Sequence, residues 1–526
     1  MSFESQPYDV VIVGYGPVGE LIAAALGRQG RRVAVIERWT ERYPLPRAVC
    51  IDHEMYRMLS QLGMDKELPS ITHAGPVYRW FNAQWKELIA IDWSAPSISG
   101  GPEVHFIHQP TVEDMLDAHA RSYANVQIHL GYEVTKVSQT PDLATLEVTE
   151  CSSGKQQTVS ARYILGCDGA NSLVRQAIGD GTREDRGFQA DWLVIDILPN
   201  EGVELDIPPA AQWCNPERPT TIVPGGVRDG RYYRRWEFMR LPHETIQDIE
   251  TEEKAWELLA PWVKPDQATM VRHKVYTFRS LIAKKWREGR LLVAGDAAHL
   301  MPPFMGQGMC AGLRDDWNLA WKLDMVLDGR ASAELLDSYQ VERYPHLSDV
   351  IDLSVYLGRV ICQPDAAKAA ARDKAFFSGT AEPMPQFPHL TKGILYHDAS
   401  GEPQAVAGQL SPHGLIRKDG VASGLDDLTS GGFVILTTTD ITLSGLSAEA
   451  KKIIKELAIK IIHLQPAGQA GYEDVEGRFL TFMKDYGLSA FLVRPDYYVY
   501  GGSKSGDING VLVSLAKSLF LVKETV

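Results

Sequence analysis

The chain has 526 residues, too many for one ordinary hydrophobic core, so two or three domains are expected. Its 44% hydrophobic and 23% charged residues match a folded soluble protein and exclude a disordered or fibrous one. A net charge of -14 disfavours nucleic acid or an anionic membrane surface as the main partner.

The opening, MSFESQPYDVVIVG, passes from polar residues straight into an apolar run with no basic region or small-residue cleavage site, so no signal peptide is expected. No apolar run approaches the roughly 20 residues that span a bilayer. Cys50, Cys151, Cys167, Cys214, Cys310 and Cys362 are scattered without a C-x-x-C pair or metal-ligand spacing. Free thiols, no metal site and a cytoplasmic location are the expectation.

Residues 8–13 (YDVVIV) read as a parallel strand buried on both faces. Gly14, Gly16 and Gly19 give G-x-G-x-x-G, and the stretch 18–26 (VGELIAAAL) has helical spacing. A second strand at 32–36 (RVAVI) ends at Glu37, 23 residues after Gly14. A βαβ unit of this kind with a terminal acid binds a dinucleotide. Gly14 permits the tight turn, Gly16 lets a pyrophosphate approach the backbone, and Gly19 lets the helix pack closely on the strand. The helix N-terminus offers unpaired N–H groups to the phosphates. Glu37 is placed to accept hydrogen bonds from the ribose hydroxyls of an adenosine. Glycines also serve plain turns, but strand, helix, strand and acid together outweigh that reading.

Two later segments bear on which dinucleotide binds. Residues 162–168 (RYILGCD) form an apolar strand leading into Asp168-Gly169-Ala170-Asn171-Ser172 and then Leu173-Val174-Arg175. Residues 290–295 (RLLVAG) form a strand ending at Asp296, followed by Ala297-Ala298-His299, Pro302-Pro303 and Gly306-Gln307-Gly308. Residues 309–327 read as an amphipathic helix.

With GYGPVG at 14–19, ER at 37–38, PRAV at 46–49, CDGANSLVR at 167–175 and GDAAHLMPPFMGQGMCAGLRDDWNLAWKL at 295–323, the sequence resembles the class A flavoprotein aromatic hydroxylases. This is the family of para-hydroxybenzoate hydroxylase and phenol hydroxylase, and the resemblance is strongest to its 3-(3-hydroxyphenyl)propionate hydroxylase branch. It implies FAD as cofactor and NADH or NADPH as reductant. It also implies hydroxylation of a phenolic ring with O2 through a flavin hydroperoxide. Asp296 would hold a ribityl hydroxyl, Arg47 and Gln109 would contact the phosphate and sugar portion, and Asp168 would lie near both FAD and the nicotinamide donor. Pro303 and the turn of Gly306, Gln307, Gly308 and Met309 would lie beside the isoalloxazine, where a helix N-terminus stabilises negative charge on a reduced ring. Pro17 and Arg38, within the matched motifs, join the cofactor set. Taken alone, Asp296 also reads as an N-cap and Pro302-Pro303 as a rigid loop.

Between the second and third flavin segments, roughly 188–278, the pattern turns to β: WLVIDIL (192–198), TTIVPGG (220–226) and RYYRRWEFMRL (231–241), with GG and DG turn signals between them. The resemblance implies an inserted antiparallel sheet that covers the flavin and forms the substrate pocket. Alternation sets Tyr233, Arg235 and Glu237 on one face and Arg234, Trp236 and Phe238 on the other, and leaves open which set faces the flavin. Trp192, Gln212, Cys214, Trp236 and Phe238 are candidates for the pocket; Arg235, Tyr233 and His299 are candidates for catalysis. An arginine can pair with a substrate carboxylate and aromatics can surround a phenyl ring, yet arginines on a solvated face and aromatics in the sheet's core explain the same pattern. His299, His53 and His108 read more readily as hydrogen-bonded structural histidines than as bases, and no general base is assigned.

The expected architecture is α/β: a Rossmann-like FAD-binding domain (1–187, returning at 281–365), the β-sheet substrate domain (188–280), a helical linker (366–408) and a C-terminal domain (409–526). The last resembles the thioredoxin-like domain of this hydroxylase branch, particularly in LVRPDYYVYG, and contains GGFVILTT (431–438) and KKIIKELAIKIIHL (451–464), helix or strand. Without a cysteine after Cys362 it has no thiol chemistry, and packing or a homodimer contact is the expected role. The competing functions are a hydroxylase of a larger aromatic secondary metabolite and a flavin-dependent dehydrogenase or oxidase. A non-catalytic flavoprotein has no feature in its favour.

Overall fold

A computed structural model of the chain describes residues 3–4, 6–179, 181–398, 400–441, 445–465 and 471–522. Its first sheet carries five parallel strands in the spatial order Leu291–Val293, Gln156–Gly166, Tyr8–Val13, Val33–Glu37 and Val126–Leu130. Val10, Val11 and Ile12 are fully buried in succession, as a strand covered on both faces requires. Ala144–Glu150 and Tyr132–Gln139 extend the sheet as an antiparallel meander.

The second sheet is antiparallel except at one pairing. Its order is His299–Leu300, Ala268–Ala283, Arg183–Pro199, Arg231–Met239, Thr220–Arg228, Ala211–Trp213, Val77–Phe81 and Glu87–Asp92, with Ala211–Trp213 parallel to Val77–Phe81. This departs from a self-contained insert at 188–280, because the hairpin at 77–92 comes from the first flavin segment and closes one edge of the sheet. It lay hidden in the sequence because it pairs with residues more than 100 positions away.

Helix Gln307–Leu327 also differs from the amphipathic reading, since 18 of its 21 residues are buried. Several of its polar side chains meet polar partners rather than water. Lys322 Nζ donates to Glu342 Oε2 at 2.8 Å, and Asn318 Nδ2 donates to Asp496 Oδ2 at 2.9 Å. Asp496 belongs to the C-terminal region, where Val421–Gly424, Leu415–Lys418, Tyr472–Asp474, Lys460–Gln465, Val434–Thr437, Ala490–Val493 and Val499–Ser503 form a third sheet in that order. The segment 451–464 is both helix and strand: Ala448–Glu456 is helical, and Lys460–Gln465 pairs parallel to Val434–Thr437.

The C-terminal region is fastened by charge as well as by packing. Arg57 forms a buried two-bond pair with Asp426, 2.6 and 2.8 Å, and its guanidinium lies over the Tyr497 ring. Tyr498 donates to Glu54 at 3.2 Å. Among the described residues no helix is long and apolar enough to cross a membrane.

Candidate active site

The turn after Tyr8–Val13 explains two of the motif glycines sterically. Gly14 has φ +100, and a Cβ there would lie 2.4 Å from the Cys167 carbonyl oxygen; a Cβ on Gly19 would lie 2.2 Å from the Gly14 carbonyl oxygen. The strand ends and the helix therefore meet backbone to backbone. At Gly16 the nearest atom to such a Cβ is the Arg47 guanidinium at 3.7 Å, so the surface over the turn is open. Pro17 starts helix Pro17–Arg28, and Gly16 gives it no side-chain cap, which leaves first-turn N–H groups for a ligand. Glu20 in that turn is fully buried, with Arg42 Nη1 3.7 Å from its carboxyl, and burial pushes that carboxyl well up.

Glu37, at the end of the second strand, accepts the Tyr15 N–H at 2.9 Å and the Trp39 N–H at 3.0 Å. These bonds fix its carboxylate beside the glycine turn and leave each oxygen a lone pair for a ribose hydroxyl. Arg38 is exposed, stacked over the Trp39 ring. Arg47 is exposed at the cleft. Gln109 is tied to the loop that carries Arg47. It is buried, its oxygen accepts the N–H groups of Arg47 and Ala48 at 3.0 and 2.5 Å, and its Nε2 donates to Glu113. It shapes the loop that carries Arg47.

Asp168 Oδ2 accepts the Leu173 and Val174 N–H groups at 2.7 and 3.3 Å, whereas its buried Oδ1 has no partner among the described residues. Asp296 sits in the turn Gly295–Ala297, accessible at its surface yet enclosed by protein beyond, which is the condition of a side chain lining a deep cleft. Burial there pushes its carboxyl up, against the pull of His299 and Arg47. His299 is removed from the catalytic candidates. Its Nε2 lies 2.6 Å from Asp315 Oδ2, both side chains are buried, and Asp315 also receives Gly295 N–H and Arg343 Nε. The histidine braces the turn that presents Asp296.

Beyond this cleft lies a cavity of about 90 Å³. One wall is the turn of Pro303, Phe304, Met305, Gly306 and Gln307, with Gly308 and Met309 following in the first turn of the buried helix. Gly306 gives that helix no side-chain cap, so its N-terminus abuts the cavity with unpaired N–H groups. Arg314, seven residues beyond Gln307, holds the wall in place: it donates to Gln307 Oε1 at 2.7 Å and Glu54 at 2.5 Å and pairs with Asp52. The opposite wall is the antiparallel sheet, through Gln212, Thr221, Val223 and Glu237, with Tyr78, Trp93 and Phe106 closing the side.

The sheet thus turns the Arg235–Glu237 face toward the cavity. Trp236 and Phe238 are corrected: they lie in a separate core on the far side, near Trp262. Trp192 and Cys214 are buried in the apolar layer behind the cavity wall, where burial pushes the Cys214 thiol up to about 12. Tyr233 packs against the His108 ring instead of lining the cavity. Arg235 is also corrected as a free cation. Its Nε and Nη2 bond to Asp196 at 2.7 and 3.0 Å, Nη2 to the Pro46 carbonyl at 2.9 Å, and Nη1 to the Arg47 carbonyl at 2.6 Å. Of the pocket candidates, Gln212 alone lines the cavity. Glu237 could have been found from alternation once the face was known; Tyr78 and Trp93 carry no local signal.

The residues present fit FAD: an open phosphate turn, an acid at the second strand's end, a carboxyl lining the deep cleft, and a helix N-terminus where a ring would lie. Residues 7–354 match the model of the FAD binding domain family, and residues 408–518 match that of the HcaD C-terminal domain. The chain is 36% identical over 518 residues to a probable NADH-specific resorcinol 4-hydroxylase of Rhodococcus jostii (strain RHA1), covering 97% of this chain and 94% of that one. It is 34% identical over 520 residues to a 3-(3-hydroxy-phenyl)propionate/3-hydroxycinnamic acid hydroxylase of Mycolicibacterium gilvum (strain PYR-GCK), covering 94% and 88%. The fold is that of aklavinone-11 hydroxylase in its complex with FAD and aklavinone, with a TM-score of 0.78 at 23% identity over 98% of this chain and 100% of that one. Fold and site together define a flavoprotein monooxygenase, with FAD as cofactor and a reduced nicotinamide as reductant. The chain belongs to the family of FAD-dependent aromatic hydroxylases.

Proposed function

We propose that the protein hydroxylates a single phenolic ring, held between the turn 303–307 and the antiparallel sheet, with O2 as co-substrate. The observation that carries this reading is the cavity of about 90 Å³ at the uncapped end of helix Gln307–Leu327. FAD supplies the two-electron chemistry and the activation of oxygen when bound. The chain supplies the rest. Trp93, Phe106, Val223 and Phe304 keep the ring dry, and the polar groups of the sheet fix its orientation. Gly14, Gly16, Pro17, Gly19, Glu37, Arg38, Arg47, Gln109, Asp168 and Asp296 hold the dinucleotide portion in this reading; Pro303, Gly306, Gln307, Gly308 and Met309 lie beside the flavin ring.

The same proposal divides the chain into a flavin domain at 1–187 and 281–365, a substrate region at 188–280 that borrows the hairpin 77–92, a linker at 366–408 and a thioredoxin-like domain at 409–526. A cytoplasmic location and a homodimer belong to it, and a monomer in light scattering would remove the dimer. The decisive experiment follows NADH and NADPH oxidation by the purified yellow protein with and without a panel of phenols, together with O2 uptake and product. Oxidation matched by hydroxylated product supports the reading. Reduction by an alcohol or amine, with no response to any phenol, would overturn it in favour of a dehydrogenase.

A further inference from the structure

The lining of the cavity is chemically one-sided. It includes two carboxylates, Asp52 and Glu237, and no lysine, arginine or histidine. Asp52 is fully engaged, since Oδ1 accepts the Glu54 and Met55 N–H groups at 3.0 and 3.1 Å and Oδ2 pairs with Arg314. Glu237 is not. No hydrogen bond to its carboxylate exists among the described residues, and its nearest cation, Arg235 Nη1, stands 3.7 Å away and only partly offsets the burial that pushes its carboxyl up. Arg235 is already tied to Asp196 and two backbone carbonyls, and Arg272 pairs with the same Asp196 at 2.6 Å. Arg235 and Arg272 are thus both paired with Asp196 outside the lining, and the lining itself holds no cation for a substrate.

The neutral polar groups point the same way. Tyr78 and Thr221 both donate their hydroxyl hydrogens to Gln212 Oε1, at 3.0 and 2.7 Å, so toward the cavity they offer lone pairs. Gln212 Nε2 donates one hydrogen to the Thr220 carbonyl at 3.1 Å and keeps one. The sheet side of the cavity is therefore an array of acceptors with a single spare N–H, and the unpaired N–H groups at the start of helix Gln307–Leu327 belong to the opposite wall, where the flavin ring is expected. Such a wall pairs with a molecule that donates, and it leaves a substrate carboxylate desolvated beside Glu237 without a counter-ion.

We infer that Glu237 accepts the hydrogen of a ring hydroxyl, and that the pocket therefore selects uncharged phenols and rejects phenols that carry a carboxylate. The inference rests on the phenol hydroxylase reading and names the substrate class within it. Acceptance of that hydrogen also raises electron density on the ring, which favours its attack on an electrophilic oxygen.

The test compares kcat/KM of the FAD-loaded enzyme for resorcinol and 3-methylphenol with that for 3-(3-hydroxyphenyl)propionate and 3-hydroxybenzoate, in the native chain and in Glu237→Gln. The native enzyme is expected to favour the uncharged rings by about a hundredfold or more. Glu237→Gln is expected to lower that preference by about tenfold or more. The preference is a ratio measured on one preparation, so partial misfolding of the variant does not change it, and flavin content gives the active fraction. A native enzyme that prefers the carboxylate-bearing rings, or a variant with an unchanged ratio, overturns the inference and leaves the hydroxylase reading standing. Product from none of the four rings, with no stimulation of NADH oxidation by any phenol, overturns both.

Discussion

Arg494 and Glu342, 152 residues apart, form an ion pair of 2.7 Å in which neither side chain is exposed. Burial alone would push the Glu342 carboxyl up, but Arg494 and Lys322 outweigh it and hold it down at about 2. Removing one member of such a pair leaves a buried charge without compensation. Arg494→Met is therefore expected to cost about 3–5 kcal/mol of stability. Chemical denaturation of the FAD-loaded protein measures it, and a loss below about 1 kcal/mol would show that water reaches the pair.

Asp316 presents the opposite electrostatic case. It is fully buried in helix Gln307–Leu327, neither carboxyl oxygen has a partner among the described residues, and burial, reinforced by Asp315, pushes its carboxyl well up. The folded chain keeps this proton at a pH where the unfolded chain has released it. Its contribution to stability is thus present below the unfolded value and is lost as pH rises toward the folded one, at about 1.36 kcal/mol per pH unit. Asp316→Asn removes that slope. Thermal melts between about pH 5 and pH 8 should show the variant gaining on the native protein as pH rises; parallel curves would mean that Asp316 is ionised and compensated in the fold.

Asp296 is expected to matter for the cofactor alone. Replacing it by alanine deletes an acceptor worth about 1.5–3 kcal/mol to a bound hydroxyl, which corresponds to roughly ten- to hundredfold weaker FAD binding. Fluorimetric titration of the apoprotein gives the value. Unchanged affinity would take Asp296 out of the cofactor set.

The two glycines of the phosphate turn should separate cleanly. Gly14→Ala places a Cβ 2.4 Å from the Cys167 carbonyl at a φ of +100, so it is expected to destabilise the apoprotein by about 1–3 kcal/mol or more. Gly16→Ala meets nothing closer than 3.7 Å and should leave apoprotein melting unchanged while lowering FAD affinity. Equal melting losses in both variants would contradict the backbone packing described for this turn.

Local pattern made much of this fold legible. The glycine turn, the two parallel strands and Glu37 lie within 30 consecutive residues and obey short-range rules. The segments around Asp168 and Asp296 declared themselves in the same way. What stayed hidden was set by distant pairing. Strand Val77–Phe81 joins the sheet through Ala211–Trp213, and nothing near Tyr78 or Trp93 announces that partner. Arg235 and His299 have the residue types of catalytic groups, and only their neighbours Asp196 and Asp315 show that their donors are engaged in holding backbone turns. Helix Gln307–Leu327 looked amphipathic because Arg314, Asn318 and Lys322 are polar; burial of that face depends on Glu54, Glu342 and Asp496 from three other segments.

That last dependence sets an order of assembly during synthesis. A chain leaving the ribosome completes its dinucleotide sheet once Leu291–Val293 has emerged, and domains fold in the order in which they are made. Yet Asn318 and Glu342 lack Asp496 and Arg494 until almost the whole chain has been translated. A nascent chain stalled or truncated before residue 494 holds Asn318, Lys322 and Glu342 together without the two C-terminal partners that complete their buried network. Such a chain is expected to engage chaperones and proteases rather than to work as a smaller enzyme.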